Sequence, residues 1–156
     1  NCYEDIVDSL SGTADVFSCS KLTAIPNIDA SEFPDLIPII SLVASISNGT
    51  TVIYNAERLR YKESDRLSST CSVLKSLSAN ITETEDKLII VGRNKLNGSY
   101  EGDGYGDHRI IMMLAASSLV TAGTVKIHEA SAASKSFPNF FEVLHKLGLD
   151  GNIELV

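Results

Sequence analysis

The chain has 156 residues, the length of one ordinary globular domain, and its 44% hydrophobic content can supply a sizeable core, which excludes disorder as its main state. Thirteen Lys and Arg against twenty Asp and Glu give a net charge of −7 with no basic block, so no nucleic-acid partner is expected. The longest apolar runs, Leu36–Ile46 and Ile110–Val120, are about eleven residues each, short of the ~18–20 that span a bilayer, and no secretory pattern opens the chain, so no membrane is expected either.

In chain order, Tyr3, Ile6, Val7 and Leu10 share one face of a short helix over 3–10. Short strands are expected at 14–18 and 22–28, with turn signals at Ser11-Gly12 and Pro26-Asn27. Pro34-Asp35 opens an apolar helix through Ser47, which Asn48-Gly49 ends, and 50–55 is a β-branched strand. A loop through Arg60 leads to a helix from Ser64 to Leu77, then strands at 80–84 and 87–91 join through Glu85-Asp86. A polar stretch, 94–106, precedes a helix capped by Asp107 and reaching Thr121. Gly123 ends it, 124–128 is a strand, a loop leads to Lys135, Pro138 suits the first turn of a helix through Lys146, and 152–156 closes as a strand.

Two stretches of this order match. Gly49-Thr50 lies thirteen residues before Lys62 and Gly123-Thr124 twelve before Lys135, while Asp35 and Arg109 each precede their Gly by fourteen. The spacing suggests an α/β chain built from one unit used twice, 14–92 and 98–156. Ile110–Ala116 is apolar on all faces and Leu36–Ile46 nearly so, which marks the helices that carry them, 107–121 and 36–47, as interior. Cys2, Cys19 and Cys71 are widely spaced and odd in number, and His108, His128 and His145 are far apart, so neither a disulfide framework nor a metal site is expected; reduced thiols suit a cytoplasmic protein.

Three clusters carry the candidate chemistry. In Arg60-Tyr61-Lys62-Glu63-Ser64-Asp65-Arg66, a helix starting near Lys62 would put Lys62 and Arg66 on one face. Two cations at a helix N-terminus oppose the macrodipole unless an anion binds between them; Glu63 and Asp65 could equally just neutralise them. Asp107-His108-Arg109 follows, and Arg109 beside a buried helix needs a partner, either Asp107, Glu63 or a bound anion. The third is Lys135-Ser136-Phe137-Pro138, at the repeat position of Lys62. Gathered together, Lys62, Arg66, Arg109 and Lys135 would hold a small, strongly anionic ligand, with Asp35, Glu63 and His108 able to handle protons.

Pro34-Asp35 with its apolar helix, Leu59-Arg60-Tyr61-Lys62-Glu63-Ser64-Asp65-Arg66-Leu67, Asp107-His108-Arg109 and Lys135-Ser136-Phe137-Pro138 resemble, in order, motifs of the 3-phosphoshikimate 1-carboxyvinyltransferases, or EPSP synthases. Arg58 and Gly106 stand where that family often has Asn or another amide. The resemblance implies the enolpyruvyl transferase fold of β-α-β-α-β-β units and a C-terminal fragment of one lobe, whose partners are phosphoenolpyruvate, shikimate 3-phosphate and the missing N-terminal part. It implies transfer of the enolpyruvyl group to the 5-hydroxyl of shikimate 3-phosphate, with phosphate released and no metal or organic cofactor. Arg66, Arg109 and Lys135 would hold phosphoenolpyruvate. Asp35 and Lys62 would meet the shikimate phosphate, with Asp35 accepting its hydroxyl proton. Glu63, supported by His108, would carry the proton at C3, and Lys135 would serve the leaving phosphate. The other class that fits these residues is a non-catalytic anion-binding or interaction domain on the same repeat fold.

Overall fold

The computed structural model describes residues 21–147 and the backbone of 153–155; the helix expected over 3–10 and the strand over 14–18 lie outside the described residues. The first sheet begins with β1 (Asn27–Asp29), parallel to β2 (Thr50–Tyr54), with Ile28 opposite Ile53. Between them run a 3-10 turn (Pro34–Leu36) and helix α1 (Ile37–Ile46), whose Pro38 sits in the first turn, where a missing N–H costs no helical bond. After β2 come a 3-10 turn (Glu57–Tyr61), α2 (Arg66–Ser76), and the hairpin of β3 (Asn80–Glu83) and β4 (Leu88–Val91). β4 lies between β2 and β3 and is antiparallel to both. Period-two alternation buries Leu88 and Ile90 and leaves Ile89 and Val91 outward.

The second sheet is parallel: β5 (Tyr100–Gly102), β6 (Val125–Ile127) and β7 (Ile153–Leu155), in that order. Helix α3 (His108–Ser117) connects β5 to β6, and a 3-10 turn (Ala130–Lys135) and α4 (Phe140–Lys146) follow β6. Isolated parallel bridges, Thr23 to Asn48 and Leu96 to Thr121, extend the first pairing of each sheet.

Helices α1, α2 and α3 pack on one another over a single apolar cluster that includes Ile37, Ile53, Leu67, Leu74, Ile90, Ile111, Leu114 and Ile127. Serines let α1 and α3 be buried without orphaned hydroxyls. Ser41 and Ser45 donate to the carbonyls of Ile37 and Ser41, and Ser117 and Ser118 donate to those of Leu114 and Ala115.

Several expectations are corrected. The helix expected from Ser64 begins at Arg66, because the Asp65 carboxylate accepts from the Ser68 N–H and so fixes Asp65 as the cap. Lys62 and Glu63 therefore lie ahead of the helix, and no helix face joins Lys62 to Arg66. The helix expected to reach Thr121 stops at Ser117, and Pro138 precedes the cap of α4 rather than sitting inside it. The polar stretch before Gly106 holds β5, whose three residues are too short and polar for a strand pattern. Helix α3 is interior, as its composition implies. Helix α1 buries one side and turns an apolar stripe outward, Leu36, Ile39 and Val43, exposed by 48%, 37% and 43%. Among the described residues, no helix is long and apolar enough to cross a membrane.

Leu114→Ala, which empties fully buried space in the apolar core, is expected to cost about 2–5 kcal/mol. Val91→Thr, on the outward face of β4, should stay within about 0.5 kcal/mol. Urea midpoints at constant m-value are the measurement.

Candidate active site

The N-terminal ends of three helices meet. Asp35 comes from the 3-10 turn leading into α1, Arg66 is the first residue of α2, and Asp107 caps α3. Arg66 is 1% exposed and Asp107 0%. The Arg66 guanidinium donates from Nε to Asp107 Oδ2 at 2.9 Å, from Nη1 to Asp35 Oδ1 at 2.9 Å, and from Nη2 to Glu63 Oε2 at 2.6 Å and Asp107 Oδ1 at 3.2 Å. Asp107 also accepts from the Arg109 backbone N–H at 2.9 Å and from Ser64 Oγ at 3.1 Å. A charge this dry is tolerable only with such complete pairing.

The chain reaches Asp107 through Gly104, Tyr105 and Gly106, with φ of +64°, +60° and +64°. Glycine is required at 104, where a Cβ would come within 2.5 Å of Ile111 Cγ1. Tyr105 holds the left-handed conformation because its N–H donates to Asp103 at 2.8 Å while its hydroxyl bonds Ser72 Oγ on α2. This turn aims Asp107 inward at Arg66.

Around that buried pair lies a half-exposed rim. Asp35 Oδ1 faces Lys62 Nζ at 3.5 Å and Asp35 Oδ2 faces Arg109 Nη2 at 3.4 Å. Glu63, with one oxygen on Arg66, turns the other toward His108 Nδ1 at 3.9 Å, beyond hydrogen-bond range. Among the described residues, His108 Nδ1 and Arg109 Nε are buried with no hydrogen-bond partner.

Titration follows from these contacts. Burial works to raise the Asp107 carboxyl, but the Arg66 hydrogen bond, the Arg109 N–H and the guanidinium charge outweigh it and hold it below its ordinary value of 3.8. Asp35 is likewise lowered: burial opposes, and the Arg66 hydrogen bond with the charges of Lys62 and Arg109 prevails. Arg66 is raised despite its burial, by Asp107, Glu63 and Asp35. Both aspartates are thus anions at neutral pH. Lys62, Arg66 and Arg109 are balanced charge for charge by Asp35, Glu63 and Asp107, so the unliganded cluster is close to neutral.

Of the seven residues proposed from sequence, Asp35, Lys62, Glu63, Arg66, His108 and Arg109 are brought together. Lys135 stands exposed at the end of its 3-10 turn and makes no ion pair with them. The partner of the Arg109 side chain is Asp35, not Asp107 or Glu63, since Asp107 is committed to Arg66. Asp107 as the counter-charge of Arg66 was not legible, because 41 residues separate them and capping alone accounts for an Asp there. Among the described residues, no group of three or more His, Cys, Asp or Glu could hold a metal ion.

A family model described as EPSP synthase (3-phosphoshikimate 1-carboxyvinyltransferase) matches residues 10–144. The chain is similar to the 3-phosphoshikimate 1-carboxyvinyltransferase of Clostridium acetobutylicum, 44% identical over 94% of this chain and 35% of that relative. It is also similar to that of Clostridioides difficile, 49% identical over 78% of this chain and 28% of the relative. The structure of EPSP synthase from Acinetobacter baumannii superposes with a TM-score of 0.70 at 30% identity, over 85% of this chain and 31% of that one. The chain thus spans about a third of the length of the curated relatives it matches.

Asp107→Asn should destabilise the chain by about 3–5 kcal/mol at pH 7, because it removes the one fully buried counter-charge of Arg66 and leaves only the half-exposed Asp35 and Glu63 to balance it. Since the native Asp107 and Asp35 titrate below the unfolded value, their stabilisation is full above about pH 4 and is lost as acid carries the pH down through the lowered values. Unfolding at stepped pH should therefore show a shallower acid slope in Asp107→Asn than in the wild-type chain.

Proposed function

The chain belongs to the EPSP synthase (3-phosphoshikimate 1-carboxyvinyltransferase) family, and on that premise we propose that it carries one half of an active site transferring the enolpyruvyl group from phosphoenolpyruvate to the 5-hydroxyl of shikimate 3-phosphate. The observation that carries this reading is the pair of carboxylates, Asp35 and Glu63, anchored side by side on Arg66, each with its second oxygen turned toward another polar group. A domain that merely bound anions would need the cations but not two carboxylates set among them.

In the proposed reaction, the hydroxyl oxygen adds to C2 of phosphoenolpyruvate while C3 gains a proton, and the C2–O bond to phosphate then breaks as C3 gives a proton up. Asp35 accepts the hydroxyl proton. Its lowered pKa is set by Arg66, Lys62 and Arg109, so an anionic substrate that drew Lys62 and Arg109 to itself would make Asp35 more basic when it is needed. Glu63 exchanges the C3 proton, and His108, whose Nδ1 has no hydrogen-bond partner among the described residues, supports it from 3.9 Å. Arg109, through its unpartnered Nε, and Lys62 receive the anionic groups of the two substrates. Arg66 contacts phosphoenolpyruvate only if Glu63 or Asp35 gives way, since its donors are engaged. Lys135 joins when the rest of the protein closes on the site and serves the departing phosphate.

The remaining substrate contacts belong to the rest of a full-length parent, which would also cover the outward stripe of α1, Leu36, Ile39 and Val43. The same reading divides the chain into related units, 14–92 and 98–156. Its support is the matched succession of strand, helix, strand, 3-10 turn and helix in each, and the parallel first pairing. A cytoplasmic location fits a biosynthetic transferase acting on soluble phosphates.

Phosphate release from phosphoenolpyruvate and shikimate 3-phosphate tests the reading. The full-length parent should turn over and this chain alone should not. Glu63→Gln in the parent should lower kcat by about 10²–10⁴-fold. Unchanged kcat would refute the role of Glu63. The isolated chain should bind inorganic phosphate only weakly, because its own carboxylates occupy the cations, and salt should weaken that binding further.

A further inference from the structure

We propose that Arg60 is a positioning residue for Lys62 and Glu63, acting through a clasp that ties the two ends of their loop to each other and to the turn between β3 and β4. Arg60 closes the 3-10 turn 57–61 and uses three separate donors: Nε to the Glu85 carbonyl at 2.9 Å, Nη2 to the Thr84 carbonyl at 2.6 Å, and Nη1 to Asp65 Oδ2 at 2.8 Å. The other oxygen of Asp65 caps α2 through Ser68. The Ala56 N–H donates to the Asp86 carbonyl at 2.8 Å, so the segment 56–60 is attached to the hairpin turn at both ends.

Lys62 and Glu63 therefore lie between two pinned residues, 60 and 65, joined by an ion pair across the loop. Neither belongs to a helix or strand that would fix its backbone. An exposed ion pair adds little stability as a rule, but here its geometry matters more than its energy. A planar guanidinium can satisfy two main-chain carbonyls and one carboxylate in diverging directions at once, which an ammonium on a flexible stem cannot. The clasp holds the Glu63 carboxylate on Arg66 and Lys62 over Asp35 before any ligand arrives. The inference rests on the enolpyruvyl transfer reading for its kinetic consequence, and on geometry alone for the clasp.

The test uses the full-length parent with Arg60→Ala, Arg60→Lys and Asp65→Asn; the last retains an acceptor for the Ser68 N–H and so keeps the helix cap while losing the ion pair. In Arg60→Ala, kcat is expected to fall about 10–100-fold, the scale of a misplaced catalytic group. KM for shikimate 3-phosphate should rise with the displaced Lys62, and KM for phosphoenolpyruvate should hold within about twofold, since Arg109 is untouched. Arg60→Lys should recover part of the loss, and Asp65→Asn should lie between. Amide hydrogen exchange over 61–64 should quicken in each variant while that of α3 stays at the wild-type rate. Wild-type kcat with unchanged exchange at 61–64 would overturn the clasp, as would a uniform quickening across the chain with equal losses in all three variants. A wild-type parent that releases no phosphate from the two substrates would instead refute the reaction reading, and exchange at 61–64 would still decide on the clasp.

Discussion

A guanidinium with almost no access to water, shared among three carboxylates, is the constraint around which the rest of the molecule is arranged. Removing one partner from such a group costs more than the pairing itself contributes, so the arrangement is held by the penalty for losing any part of it. Asp35, the Glu63–Arg66 pair and Asp107 come from three different places in the chain, and bringing them together obliges α1, α2 and α3 to meet by their N-terminal ends. Three helix starts pointed at one spot add partial positive charge there, on top of Lys62 and Arg109. The packing that satisfies Arg66 is thus the same packing that gathers Lys62, Arg109 and three helix starts at one spot.

The elements with a strong local signature were legible in the sequence. The apolar run after Pro34, the β-branched Thr50–Tyr54, the hairpin around Glu85-Asp86 and the cap at Asp107 all follow from local patterning. Short elements set by tertiary contact were not. β5 is a strand only because its residues lie beside β6, and the turn at 57–61 forms where Arg60 can reach the hairpin. The same division holds in the site. Motif resemblance picked out Lys62, Glu63, Arg66, His108 and Arg109, yet which carboxylate meets which cation is decided by three-dimensional packing. Asp35 reaches Arg109 across 74 residues, a distance no periodicity encodes.

An apolar composition on all sides of a helix states that it will be covered, without stating by what. α3 meets that demand within the described residues, from α1, α2 and the turn at 130–135. α1 meets it on one side only. The serines of both helices are part of the same economy: each hydroxyl turned back onto its own helix removes a polar demand that a neighbouring surface would otherwise have to answer. What remains for a neighbour to provide on the outward side of α1 is shape and apolar contact alone.

Asp107 is held by Ser64 and Arg66 on one side and by the Arg109 backbone on the other, so a single carboxylate binds the first sheet's helices to the second's. Opening the second sheet alone would take from Arg66 its one fully buried counter-charge, so Asp107 couples the melting of the two sheets. A proteolytic nick between Asn94 and Ser99 would cut the chain and still leave Arg66 and Asp107 as a buried tie between the two pieces.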